Sequence, residues 1–182
     1  SHEYFHAVQT GYDPNMSAVL SEGSAVWATE RFDPTLTDFE GFTPSYLAKP
    51  ERSLDQEPTG PVEGYIYGSA LFFECLTDHR GPDTLRDLFE RLHGQPWLPE
   101  LDATLQADGG APLATEFERC ANFNLFTGAR TRPGYGHRRA AQLGTAPVTE
   151  GLTSFAVPKA RMFRASSRYY RVSALEAGSA VW

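Results

Sequence analysis

Two histidines near the start of the chain have the spacing of a metal-binding pair. His2 and His6 enclose Glu3 in the sequence His-Glu-Tyr-Phe-His. On a helix, residues four apart lie on one face with Cβ atoms about 5–6 Å apart, so both imidazoles can reach one Zn²⁺ ion. Glu3 is rotated about 100° from His2, which suits a general base that holds a water on the metal. The alternative is an exposed helical turn with two solvated histidines.

A catalytic zinc ion needs a third protein ligand and one open position. In the metzincin pattern a Gly would stand at position 9 and a His at position 12, but this chain has Gln9 and Tyr12, so that pattern is excluded. The gluzincin pattern takes a Glu from a second helix, and Glu22 is the predicted ligand. Gly, Ser and Ala follow it, which predicts a close approach of the two helices. Glu30 is the competitor, and a plain surface carboxylate is the alternative for Glu22.

These ligands require two adjacent helices, and the sequence has the signals for both. Residues 2–9 have a helical pattern that Gly11 and Pro14 end. Residues 16–31 predict a second helix, with Asn15 as its N-cap. The spacing of apolar residues predicts further helices near Tyr46 and over 64–79, 82–93, 98–107 and 112–126, a loop over 128–150, and short strands over 152–157 and 167–175. The predicted fold class is mainly α.

Four stretches of the chain resemble bacterial metallopeptidases of the gluzincin clan, which are related in layout to zinc aminopeptidases. They are HEYFHAVQ, EGSAVWATE, YGSALFFECLTDHRGPDTLRDLFERL and, more loosely, FERCANFNLFTGAR, and they span roughly residues 2–130. The resemblance implies the C-terminal helical part of a zincin-type catalytic domain over residues 1–148. It implies the start of a small β-rich, sandwich-like domain over residues 149–182. It also implies a peptide or protein substrate and a secreted or cell-surface location.

The same resemblance implies how the site works. Glu3 would activate water for peptide-bond hydrolysis by a zinc metallopeptidase. In related gluzincins a tyrosine stabilises the tetrahedral oxyanion, a task that suits a phenol donor. Tyr67 is the candidate for that role and Tyr65 is the fallback, although either could be a core aromatic with a satisfied hydroxyl. The Zn²⁺ ligands would be His2, His6 and Glu22.

Two departures from the gluzincin pattern favour a different class of function. Many gluzincins carry an acidic residue four positions after the third ligand, where it orients a ligand imidazole. This chain has Val26 there, so Ser24 or a residue outside the chain would have that task. The substrate-binding sheet would lie upstream of His2, so we expect a processed or partial chain that needs its upstream portion, or another chain, for activity. The alternative function is a non-catalytic structural or interaction component that retains the zincin scaffold.

The composition excludes two classes of partner. The 182 residues are 41% apolar and 21% charged, values typical of a folded protein with a hydrophobic core. The formal net charge is −7, so no basic field attracts nucleic acid. No apolar run approaches the roughly 18 residues that a membrane span needs.

The remaining residues that could do chemistry receive no catalytic role. Cys75 and Cys120 could form a disulfide or remain buried thiols, and the sequence does not decide between them. Three histidines lie near predicted helix ends or in a loop, and four arginines lie in a predicted solvated loop, so none of these residues needs a functional role. The histidines are His79, His93 and His137, and the arginines are Arg130, Arg132, Arg138 and Arg139.

Overall fold

The computed structural model describes residues 1–60, 63–107, 109–152 and 161–173, and it confirms a mainly α fold. The helices are α1 (His2–Tyr12), α2 (Ala18–Phe32), α3 (Asp38–Leu47), α4 (Gly64–Gly68), α5 (Ala70–Arg80), α6 (Asp83–Leu92), α7 (Trp97–Ala107) and α8 (Leu113–Leu125). Short 3₁₀ turns cover Gly128–Arg130 and Ala140–Gln142, and the strands are β1 (Thr149–Leu152) and β2 (Tyr170–Val172). Within these described ranges, no helix is long and apolar enough to cross a bilayer.

The first two helices run back along one another after a short turn. Ser1 Oγ donates to Thr29 Oγ1 at 3.3 Å, at one end of the pair. The prediction that Asn15 caps α2 is wrong, because the helix begins at Ala18 and Asn15 lies in the turn before it, where its backbone N–H donates to the Asp13 carboxylate at 2.9 Å. Ser17 is the N-cap instead, and its hydroxyl accepts from the backbone N–H of Leu20 at 3.3 Å.

Helix α5 lies at the centre of the core. All of its residues from 70 to 77 are buried, so it carries apolar contacts on every face. The sequence predicted one helix over 64–79, but the structure divides it at Ser69 into α4 and α5. The Ser69 hydroxyl donates to the carbonyl of Ile66 at 2.6 Å and so competes for a helical acceptor, which explains the change in hydrogen-bond spacing there.

A disulfide ties α5 to α8. Cys75 and Cys120 are both buried and are bonded to each other, with Cα atoms 5.9 Å apart. The sequence left this pairing open because the separation of the two cysteines depends on how distant helices pack. The bond closes a loop of 45 positions that includes α6 and α7.

The last described segment packs against the helices. Strands β1 and β2 pair in parallel, with Thr149 beside Tyr170. The strand predicted over 167–175 is confirmed at residues 170–172, whereas the strand predicted over 152–157 lies outside the described residues beyond its first position. The Tyr169 hydroxyl donates to the carbonyl of Ala121 in α8 at 2.7 Å, so this segment is attached to the helical core.

The prediction that all four arginines lie in a solvated loop is wrong. Arg139 is half-buried, and its guanidinium donates to Glu30 and to Glu40 at 2.6 Å each. Arg138 contacts the buried carboxylate of Glu74 at 3.1 Å. Helices α2, α3 and α5 hold these carboxylates where water has little access, so a nearby cation compensates for their lost solvation. The arginines therefore fasten the long loop to the helices.

Candidate metal centre

The candidate ligands converge where α1 crosses α2. His2 and His6 lie one helical turn apart on α1, and Glu22 faces them from the first half of α2. Among the described residues, these three form the group of His, Cys, Asp and Glu side chains that could hold a metal ion, with ligand atoms within 4.8 Å of one another. All three are half-buried, with about a quarter of each side chain exposed.

The distances among the three ligand atoms fit a tetrahedral zinc ion. The Nε2 atoms of His2 and His6 are 3.1 Å apart, and Oε2 of Glu22 lies 3.1 Å from the first and 3.4 Å from the second. An ion about 2.05 Å from each atom would lie about 0.9 Å out of their plane. The angles at the ion would be roughly 98–112°, close to the tetrahedral value of about 109°. The donor set thus fits zinc with one position left open.

A cavity is lined by one candidate ligand, His2, and by the candidate general base. Its volume is about 280 Å³, and Glu3 is exposed at its wall one position after His2. Because Glu3 is rotated away from the ligand face of α1, its carboxylate is free to act on a molecule in the cavity. The lining residues are His2, Glu3, Val26, Thr29, Asp38, Phe42 and Tyr67.

Tyr67 also lines this cavity. Its ring stacks on Phe42, with centroids 4.9 Å apart, and lies 6.1 Å from the ring of His2. Burial raises the pKa of the Tyr67 phenol above its ordinary value, and the negative charges of Glu22 and Glu3 raise it further. The phenol therefore stays protonated at neutral pH and remains a hydrogen-bond donor.

The fallback residue, Tyr65, is not brought to the site. Its ring is fully buried, and its hydroxyl donates to the carbonyl of Arg52 at 3.2 Å. Burial raises the pKa of this phenol as well, which keeps it a donor to that carbonyl. Tyr65 is thus a core aromatic with a satisfied hydroxyl, and of the two tyrosines it is Tyr67 that lines the cavity.

The competing carboxylate, Glu30, is also placed elsewhere. Its Oε1 atom lies 2.6 Å from the guanidinium of Arg139. Burial raises the pKa of Glu30, and the charge of Arg139 partly offsets that rise. Buried Glu30 is therefore paired with Arg139, whereas Glu22 faces the histidines.

Sequence reasoning missed Gln9, the one buried residue of α1. Its side-chain oxygen lies 2.7 Å from Nδ1 of His6, on the side of the ring away from the ligand atoms. Its amide nitrogen donates to the carbonyl of Ser21 and to the hydroxyl of Ser24, at 2.8 Å each. Ser24 was predicted to orient a ligand imidazole, but its hydroxyl accepts a hydrogen bond from Gln9 instead. The available signal was the position of Gln9 three residues after His6, on the inner face of the helix.

The close approach predicted from Gly23 occurs at a different face. A Cβ atom at position 23 would meet Ser69 and Phe73, so the glycine lets α2 approach the core helices α4 and α5 and not α1. The contact between α1 and α2 is made instead by polar side chains. Small residues after Glu22 thus position α2, but they do so from behind the site.

The other histidines contribute no atom to the site. His79 pairs with buried Glu116 at 2.8 Å, and His93 ends α6 in the left-handed conformation. His137 is buried and lies 2.8 Å from the side-chain oxygen of Asn124. Burial lowers the pKa of His137 to about 4, so it is neutral at pH 7.

Comparison of the chain with protein-family models, with curated proteins and with solved structures finds no match.

Proposed function

We propose that this chain carries the zinc centre of a gluzincin-type metallopeptidase that cleaves peptide bonds with an activated water. The observation that carries the proposal is the triangle of ligand atoms from His2, His6 and Glu22, with sides of 3.1 to 3.4 Å. Two imidazoles and one carboxylate are the ligand set of a catalytic zinc site, since structural sites have four protein ligands. The adjoining cavity supports the proposal because His2, Glu3 and Tyr67 all line it.

The residues around the cavity have the chemical properties that hydrolysis requires. A bound zinc ion would act as a Lewis acid and lower the pKa of a coordinated water to about 7. Glu3 accepts the proton of the attacking water and delivers it to the leaving amine as the carbon–nitrogen bond breaks. Tyr67 donates a hydrogen bond to the carbonyl oxygen, on which negative charge develops. His2 and His6 are held on one turn of helix, so their positions need no rearrangement.

Metal analysis tests the site directly. We expect about one equivalent of zinc per chain, bound by wild type and by Glu30→Gln. Glu22→Gln makes the same change in side-chain shape as Glu30→Gln, but it removes the charge of a proposed ligand. It should weaken zinc binding by more than the roughly 10–100-fold that loss of an outer-shell partner costs. Less than about half an equivalent of zinc in wild type, or equal affinity in the two variants, would contradict the proposal.

Hydrolysis is tested with an unstructured protein as substrate and with the full-length protein. The variant Glu3→Gln should keep its zinc and lose turnover, because the base is lost and the ligands are not. Wild-type cleavage should stop when a chelator is added. Zinc binding without any chelator-sensitive cleavage would refute the enzymatic part of the proposal and favour a non-catalytic component that retains the zincin scaffold.

We also propose that the protein acts in an oxidising compartment, at the cell surface or after secretion. The buried disulfide between Cys75 and Cys120 supports this location, because such bonds are rare where thiols are kept reduced. The substrate would accordingly be an extracellular peptide or protein. Immunodetection in cell fractions tests the location, and a protein found wholly in the cytosol would refute it.

A further inference from the structure

The side-chain amide of Gln9 has its orientation fixed by its partners. The carbonyl of Ser21 can only accept a hydrogen bond, so the Gln9 atom 2.8 Å from it is the NH₂ group. The hydroxyl of Ser24 donates to the carbonyl of Leu20 at 2.6 Å, and it therefore accepts from the same NH₂ group. The oxygen of Gln9 is thus the atom that faces His6.

This orientation determines which nitrogen of His6 carries the proton. The oxygen of Gln9 is an acceptor and lies 2.7 Å from Nδ1, so Nδ1 of His6 must be the donor. In a neutral imidazole with a proton on Nδ1, the other nitrogen has a free lone pair. That nitrogen is Nε2, the atom directed at His2 and Glu22. Ser21 Oγ lies 3.3 Å from both Nδ1 and the Gln9 oxygen, and it donates to the latter.

The resulting arrangement has more acceptors than protons to share. Nε2 of His6 is an acceptor, and it lies 3.4 Å from Oε2 of Glu22, which is also an acceptor. The Nε2 proton of His2, at 3.1 Å from each, can serve one of them at a time. If His2 carries its proton on Nδ1 instead, a metal ion at the centre would be bound by all three atoms together. Gln9 thereby prepares the group to bind a metal ion.

We propose that Gln9 is a positioning residue that holds His6 in the protonation form and orientation required of a metal ligand. It takes the place of the acidic partner that the chain lacks at Val26. The proposal rests on the zinc centre proposed above and names the residue that regulates its affinity. Gln9 touches neither substrate nor metal, and it acts through the imidazole of His6 alone.

Three substitutions test the role of Gln9 in zinc affinity, measured by competition with a chromophoric chelator. Gln9→Met keeps the length of the side chain and removes the acceptor, and it should weaken zinc binding about 10–100-fold. Gln9→Glu restores an acceptor for Nδ1 and should recover at least about tenfold of that loss. Gln106→Met makes the same change at an exposed glutamine of α7 and, as a control, should stay within about threefold of wild type. Affinity of Gln9→Met within about twofold of wild type would overturn the proposal.

A measurement on the metal-free protein separates positioning from general damage. Long-range ¹H–¹⁵N correlation spectra report which imidazole nitrogen of His6 carries the proton. In wild type and in Gln9→Glu we expect the Nδ1–H form, and in Gln9→Met we expect the Nε2–H form to gain population. A wild-type His6 with its proton on Nε2 would refute the inference even if zinc binds. Failure of wild type to bind zinc would refute the proposed function. The position of the proton on His6 would still be decided by the spectra of the metal-free protein.

Discussion

Gly23 allows the packing of helix α2, which carries the candidate ligand Glu22, to be tested at a single atom. A Cβ atom added there would lie 2.2 Å from Oγ of Ser69 and 2.7 Å from Cε2 of Phe73. Both neighbours are fully buried and cannot move outward into solvent. The substitution Gly23→Ala therefore forces α2 and the core helices apart or displaces both side chains. Gly11 in α1 is a matched control, because a Cβ atom there would meet nothing within 4 Å.

The expected size of the effect follows from three contributions. Overpacking one methyl group into a filled core costs about 1–3 kcal/mol. Displacing the Ser69 hydroxyl from the carbonyl of Ile66, now 2.6 Å away, costs about 1 kcal/mol more. Alanine favours a helix over glycine by about 1 kcal/mol, which offsets part of this loss. Gly23→Ala should therefore lower the free energy of unfolding by about 1–3 kcal/mol, whereas Gly11→Ala should raise it by up to about 1 kcal/mol.

Urea denaturation followed by far-ultraviolet circular dichroism measures both variants. A chelator keeps all samples free of metal, so that metal binding does not enter the comparison. For a chain of this size each kcal/mol corresponds to about 2–4 °C in the melting temperature, which gives a second measurement. The two variants should shift in opposite directions. An unfolding free energy for Gly23→Ala at or above that of wild type would refute the packing argument.

Two further predictions concern groups distant from the site. Replacing both Cys75 and Cys120 by alanine opens a loop of 45 positions and should lower the free energy of unfolding in urea by about 4 kcal/mol on loop entropy; a loss below about 1 kcal/mol would contradict this. The pKa of His137 is about 4 in the folded chain, below its usual 6.5, so the unfolded chain binds more protons at mildly acidic pH. The contribution of His137 to the free energy of unfolding is complete at pH values above its usual pKa of 6.5, and it is lost as the pH falls towards the folded pKa of about 4. Between about pH 7 and pH 5 wild type should lose about 2 kcal/mol more than His137→Gln in urea unfolding experiments, and parallel pH profiles would show that His137 is not the cause.

The sequence indicated the candidate ligands because helical spacing is local information. Two histidines four residues apart on a helix share a face. The break at Gly11 and Pro14, followed at once by a second helical pattern, predicts a helix that lies beside the first. The helix α6 was predicted for the same reason, since its apolar residues repeat every three to four positions and all face inward. Where a feature depends on one helix alone, the pattern of side chains is sufficient to predict it.

Features that depend on two distant segments could not be predicted in this way. The amide of Gln9 has its role only because Ser21 and Ser24 lie beside it after the chain has turned back. Likewise, Arg139 resembles any arginine in a polar loop until folding brings it to the buried carboxylate of Glu30. The N-cap prediction for α2 failed for a local reason, because Ser17 accepts from the backbone N–H of Leu20 and the helix begins after it. For Gln9 and Arg139, a polar contact across the fold decided the outcome.

The short span between the candidate ligands determines which part of the molecule a metal ion would hold. His2 and Glu22 are 20 positions apart, and neither belongs to the core built around α5. A bound ion would link α1 to α2 and would contact no other helix. Helix α1 fully buries only Gln9, and its other attachment is the packing of the partly exposed rings of Phe5 and Tyr12 against Phe89 of α6. Losing the ion would therefore loosen one helix while the remainder stayed folded, and Glu3 would lose its place in the same event.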